Sequence, residues 1–154
     1  MSALRARFAA LAAGFVVMQG AGPYDIDLLP SPVAAGAAGT ARLFAPESPF
    51  GIGVTDDGRA VYQIRITASH LPRFPAFIAW ATSPDLGEWV RLGVVREGTS
   101  VVGPVAMNKF LLVITGERDS SVATHTGPTV LHGTSPSGWL QSFLTHPLFR
   151  GIPQ

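Results

Sequence analysis

Cysteine is absent from the 154 residues, which excludes disulfides, thiolate metal sites, a cysteine nucleophile and a lipidated N-terminal cysteine. Lysine is nearly absent. Lys109 stands against ten arginines, a balance that reads as coding bias. Charge is scarce at 14% of residues, and the formal net charge of +1 falls to about −1 without Arg5 and Arg7. That leaves no electrostatic footprint for nucleic acid, so no nucleic-acid partner is expected.

The groups that carry chemistry are equally thin. His70, His125, His132 and His146 fall at no metal-ligand spacing. Asp56-Asp57-Gly58 resembles a fragment of a calcium loop, but the downstream bidentate glutamate is missing, and turn chemistry accounts for it. Gly51 and Gly53 lead into a hairpin rather than a helix, which removes the basis for phosphate binding. In Gly133-Thr-Ser-Pro-Ser-Gly138 the spacing of a nucleophile elbow fails, and Pro136 disfavours the helical conformation an elbow needs at Ser135. No metal, cofactor or catalytic residue is expected. A serine hydrolase using Ser135 or Ser137 with a histidine is the remaining enzymatic alternative.

Apolar residues, at 47%, are plentiful enough for a sizeable core. Glycine (17) and proline (13) make up about a fifth of the chain, which suits short strands and turns rather than a helical bundle. Residues 1–22 form the first unit. Arg5 and Arg7 precede an apolar run containing Phe8, Leu11, Phe15, Val16, Val17 and Met18, the layout of a secretory signal. Cleavage near Gly20-Ala21-Gly22 is one outcome. The other is a retained anchor. The uncharged run Phe8–Tyr24 would reach roughly 25 Å as a helix, the lower limit for a bilayer span, and the two arginines would hold its N-terminus in the cytoplasm.

Residues 23–39 read as a Pro/Ala/Gly-rich extended arm. Within it Tyr24, Ile26, Leu28 and Leu29 alternate with acids and are candidates for a partner surface or for packing on the chain's own domain. Residues 40–134 read as the folded unit. Strands are expected at Thr40–Phe44, Phe50–Thr55, Arg59–Ser69, Phe77–Thr82, Trp89–Val95, Ser100–Ala106, Phe110–Thr115 and Thr129–His132, separated by turn signals. In the third, Tyr62, Ile64, Ile66 and Ala68 alternate with Gln63, Arg65 and Thr67, so one face is buried and one is wet. This pattern predicts an all-β, antiparallel, immunoglobulin-like β-sandwich of about seven or eight strands, with an N-terminal hydrophobic helix and a short C-terminal helix and tail. Phe77–Thr82 and Phe110–Thr115 are apolar on both faces, so something must cover their outer side, either the chain's own loops or a partner. Residues 135–154 form the apolar tail. Trp139, Leu140, Phe143 and Leu144 share a helical face expected to pack on the domain, and Leu148, Phe149 and Ile152 are partner-binding candidates.

Four runs come in a recognisable order: Ala60-Val-Tyr-Gln-Ile, Arg91-Leu-Gly-Val-Val, Phe110-Leu-Leu-Val-Ile-Thr-Gly-Glu117 and Thr126-Gly-Pro-Thr-Val-Leu131. Over residues 60–133 this is similar to the extracytoplasmic domain of anti-sigma-K-type factors. The resemblance implies an immunoglobulin-like fold outside the cytoplasmic membrane. Only seven residues precede the apolar run, so the cytoplasmic sigma-binding domain of that family, and with it sigma-factor inhibition, is not expected. The layout of anchor, arm, β domain and apolar tail also resembles small membrane-extrinsic subunits that brace large bacterial membrane complexes, and the Ala/Gly/Arg-rich composition resembles the extrinsic proteins that hold a photosynthetic reaction centre inside its antenna ring. The expectation is therefore a non-catalytic periplasmic or extracytoplasmic subunit, associated with the membrane and contacting the subunits of a membrane protein complex. The alternative is a secreted or periplasmic sandwich that binds a ligand or senses the envelope.

Overall fold

Alternating side chains bury one face of strands such as Tyr62–Ser69, whereas Ala76–Thr82 and Leu111–Glu117 are buried along nearly their whole length. The computed structural model describes residues 22, 24–45, 55–57, 59 and 61–136. These form β1 (Asp25–Pro30), β2 (Ala38–Phe44), β3 (Tyr62–Ser69), β4 (Ala76–Thr82), β5 (Trp89–Val95), β6 (Gly98–Val105), β7 (Leu111–Glu117) and β8 (Thr129–Thr134). A 3-10 turn at Pro32–Ala34 is the only helical element among the described residues. The expected N-terminal and C-terminal helices and most of the expected strand Phe50–Thr55 lie outside them. The turn after that strand is present, because Thr55 N–H donates to the carbonyl of Arg59 at 2.9 Å.

Every strand pairing is antiparallel, and the order is β5-β4-β7-β8-β1-β2-β3-β6. This is one eight-stranded sheet where the sequence pattern suggested two. The physical reason is β1. Residues Asp25–Leu28 pair with β2, and Leu29 and Pro30 then pair with β8, so one strand joins both halves. The two edge strands, β5 and β6, are consecutive and joined through Arg96 and Glu97. They lie close together: a Cβ built on Gly93 would be 3.2 Å from Val102 Cγ1. The sheet is thus nearly closed around a core that includes Ile64, Ile66, Phe110, Leu112, Ile114 and Leu131. On β3 the alternation holds: Ile64, Ile66 and Ala68 are buried, and Arg65 and Thr67 are exposed.

The arm reading of residues 23–39 needs correction. Asp25 to Leu28 is a period-two strand, with Ile26 and Leu28 pointing into the core at 2% and 4% exposure. Pro32 starts the 3-10 turn, where its missing N–H costs nothing. Ala34 and Ala37 are buried beneath it, and β2 begins at Ala38. Residues 25–39 therefore belong to the sheet and its core rather than to an extended arm.

Candidate functional site

The outer side of β4 and β7 is the first place where side chains gather. Phe77, Ala79 and Ala81 of β4 face the main core, while Ile78 and Trp80 belong to a second cluster on the opposite face. That second face is covered by the chain itself. Residues 118–128, the connection from β7 to β8, cross it and bring Val122 and His125 against Trp80 and Trp89. The His125 ring stacks on Trp89, with centroids 3.8 Å apart, and meets Trp80 edge-on at 5.9 Å. His125 Nδ1 is buried with no hydrogen-bond partner, so ring contacts hold the imidazole.

Glu117 fastens this strap. It is only 1% exposed, and its carboxylate accepts four hydrogen bonds. Oε1 takes the Thr115 hydroxyl (2.7 Å) and the Thr126 N–H (3.1 Å). Oε2 takes the Thr126 hydroxyl (2.8 Å) and the Gly127 N–H (3.0 Å). Thr115 Oγ1 in turn accepts the Trp80 indole N–H at 2.9 Å. Burial alone would raise the Glu117 pKa. The bonds from Thr115, Thr126 and Gly127 outweigh it, and the carboxyl is held below its usual range. Arg91 adds a clamp from β5, donating to the carbonyls of Val122 (3.0 Å) and Ser120 (2.6 Å). Glycine is required where the strap returns. A Cβ at Gly127 would lie 1.7 Å from the Gly116 carbonyl oxygen, beside the bond from Gly116 N–H to the Pro128 carbonyl. Every polar group of Glu117 is spent on structure.

The second place is one end of the sheet. Asp25 lies opposite Arg42, Thr82 opposite both Trp89 and Leu111, and Leu111 opposite Thr134. Antiparallel pairing thus puts the start of β1, the β4–β5 and β6–β7 connections and the end of β8 at one pole. Residues 1–21 and 137–154 both join the described fold there. Tyr24 is half-exposed at this pole. The Arg42 guanidinium bridges Asp25 at 2.6 Å and 2.9 Å; this bond, then the Gly22 N–H, lowers the Asp25 pKa from 3.8 to about 2. Ser135 is buried there. Its Oγ accepts the Phe110 N–H at 3.0 Å and its N–H donates to the Phe110 carbonyl at 2.9 Å.

Among the described residues of this pole, Leu86 in the loop between β4 and β5 is the most exposed large apolar residue. Leu86 N–H donates to the Ser83 carbonyl, closing a turn with Pro84 and Asp85 at its centre. Asp85 Oδ1 accepts from the Ser83 hydroxyl (2.5 Å) and the Gly87 N–H (3.2 Å), and these two bonds, in that order, lower its pKa. Trp89 Nε1 donates to the Leu86 carbonyl at 3.0 Å. The bonds hold Leu86 at φ +61°, in the left-handed region, with its side chain 56% exposed.

The opposite pole carries a cleft of about 450 Å³. Phe74 and Phe77, edge-on at 6.0 Å, line it together with Val94, Arg96 and Glu97.

The partner-binding candidates therefore separate. Ile26 and Leu28 are used up in the core, Tyr24 and Leu29 are exposed, and Leu148, Phe149 and Ile152 lie outside the described residues. So do the anchor candidates Phe8, Leu11, Phe15, Val16, Val17 and Met18, and Ser137 and His146. His70 and His132 are exposed on separate elements. Among the described residues no three His, Asp or Glu side chains gather as a metal site, and no helix is long and apolar enough to cross a membrane. Leu86 and Glu117 were missed by the sequence reading. A leucine directly before glycine in Ser-Pro-Asp-Leu-Gly was the available signal for the first. For the second it was the period-two spacing that puts Thr115 and Glu117 on one face. Comparison with protein-family models, curated proteins and solved structures finds no match.

Proposed function

We propose that this protein is a non-catalytic, extracytoplasmic structural subunit, associated with the membrane, that braces a larger membrane protein complex. One observation carries the reading: both terminal segments, the apolar run Phe8–Met18 and the apolar tail, join the sheet at the same pole. A domain tethered through both ends at one pole presents its sides and far pole as a rigid spacer. The fastening of residues 118–128 by Glu117 and Arg91 supports that rigidity. Tyr24, Leu29 and the tail residues Leu148, Phe149 and Ile152 are the proposed contacts, since a few buried anchors dominate an interface. A photosynthetic reaction centre–antenna assembly is one complex of this kind. In fold, the proposal keeps the immunoglobulin-like description, taking β1-β2-β3-β6 and β5-β4-β7-β8 as two halves joined through β1.

Solubilising native membranes in mild detergent and sizing the assembly tests the proposal. The chain should migrate with membrane proteins at several times its own 16.2 kDa. Recovery solely as a free monomer refutes it. The far-pole cleft favours a second reading, a periplasmic ligand-binding domain released by cleavage near Ala21. N-terminal sequencing of the mature protein separates the two.

A further inference from the structure

We infer that the pole carrying Tyr24 and Leu86 faces a lipid bilayer, with Leu86 as the tip that enters the interface. The inference rests on the membrane-associated reading and adds to it an orientation and a contact residue.

Three observations support it. First, only a short uncharged segment links the apolar run to the sheet. After Arg7 the next charged residue is Asp25, and Asp25 is the first residue of β1. Six residues lie between Met18 and Asp25, so the start of β1 can lie no more than roughly 25 Å from the end of that run. The start of β1 belongs to the pole described above, so this pole is the one nearest the bilayer. Second, Leu86 combines two unfavourable conditions. Its left-handed φ suits glycine or asparagine, and its apolar side chain faces water. Turn chemistry does not ask for leucine here, but contact with lipid does. Third, Tyr24, at the junction of run and sheet, has the amphipathic side chain enriched at membrane–water interfaces.

Acidic neighbours set the depth. Asp85 and Glu88 flank Leu86, and both are exposed. Leu86 and Pro84 can pass the headgroups while these carboxylates stay in water. The same carboxylates disfavour an anionic surface, so the occupant is a zwitterionic bilayer interface.

Because the chain has no cysteine, a single introduced thiol labels one site. The full-length chain carrying Leu86→Cys or Val33→Cys, labelled with a fluorophore, is reconstituted into phosphatidylcholine vesicles containing lipid with a nitroxide near the headgroup. Val33 is equally exposed (56%) and lies at the far pole. On the vesicle-bound chain the Leu86 label should lose roughly half or more of its emission, as a side chain at the headgroup–acyl boundary does, and the Val33 label should keep its own. Equal quenching at both sites, or none at Leu86, overturns the orientation and leaves membrane association standing. A Leu86 label shielded from aqueous iodide yet untouched by the lipid quencher means that a protein covers the tip, which overturns the lipid assignment. A chain that stays out of the vesicles overturns the membrane reading and this inference together. Leu86→Asn is the structural control: asparagine tolerates the backbone angle, so its fold should be unchanged.

Discussion

Replacing Glu117 with glutamine removes one charge and almost no volume, so its effect isolates the hydrogen-bond pattern. Each carboxylate oxygen accepts one hydroxyl and one backbone N–H: Oε1 from Thr115 and Thr126, Oε2 from Thr126 and Gly127. Hydroxyls can rotate and accept instead of donate. Backbone N–H groups cannot. Whichever way the glutamine amide turns, its NH2 meets one backbone N–H, and that donor loses its partner. A donor left unsatisfied in these part-buried bonds costs at most roughly 1–3 kcal/mol, and the bonds that survive lose their charge assistance. A total of about 2–4 kcal/mol is expected. At roughly 3 °C per kcal/mol for a chain of this size, the thermal midpoint should fall by about 6–12 °C. Unfolding followed by Trp80 and Trp89 fluorescence measures the shift, and amide hydrogen exchange localises it. Exchange should accelerate first in residues 118–128. A midpoint within about 1 °C of the parent, with exchange of 118–128 unchanged, refutes the view that Glu117 fastens the strap.

Two further substitutions and one titration extend the test. Gly127→Ala places a Cβ against the Gly116 carbonyl, where backbone meets backbone, and should cost at least about 3 kcal/mol in urea unfolding. Gly116→Ala meets the Phe74 ring at 2.5 Å instead; a half-buried side chain can swing aside, so its cost should be the smaller of the two. The lowered pKa values of Asp25 and Glu117 fix the sign of the acid response. Each stabilises the fold above its unfolded pKa, and the benefit is lost as pH falls through the folded value. For Asp25 that window runs from 3.8 down to about 2. A carboxyl NMR titration should find Asp25 among the last acids to protonate, and Arg42→Ala should move it back toward 3.8.

The strands were largely legible because their alternation is local. Trp89–Val95 carries the boundaries expected from the sequence, and six others differ by a few residues at one or both ends. The first strand was hidden by composition. Asp25-Ile-Asp-Leu alternates as a strand should, but the prolines and alanines after it looked like linker, and pairing of Leu29 with His132 across the whole fold has no local signal. The same limit hid the cover on β4. Phe77–Thr82 plainly needed something on its outer face. Only the fold shows that residues 118–128 supply it, because the hydrogen bonds from Thr126 and Gly127 to Glu117 close a loop whose sequence carries no strand or helix pattern. Leu86 was readable in principle, since a bulky residue sits where the turn wants glycine or asparagine.

The place of β1 between β2 and β8 has a mechanical consequence. The start of β1 and the end of β8 leave the sheet side by side, so tension applied across the two ends of the chain pulls these strands apart like a zip. The pairs at Leu29 and Pro30, with the bonds from Ser31 N–H to the Val130 carbonyl and from the Ser31 hydroxyl to the Thr129 carbonyl, resist that tension between β1 and β8. Tension on the first strand alone loads the four residue pairs with β2 along their length, in shear. A domain held by its two ends in this way yields readily if those ends are drawn apart. It holds far better when they move as one.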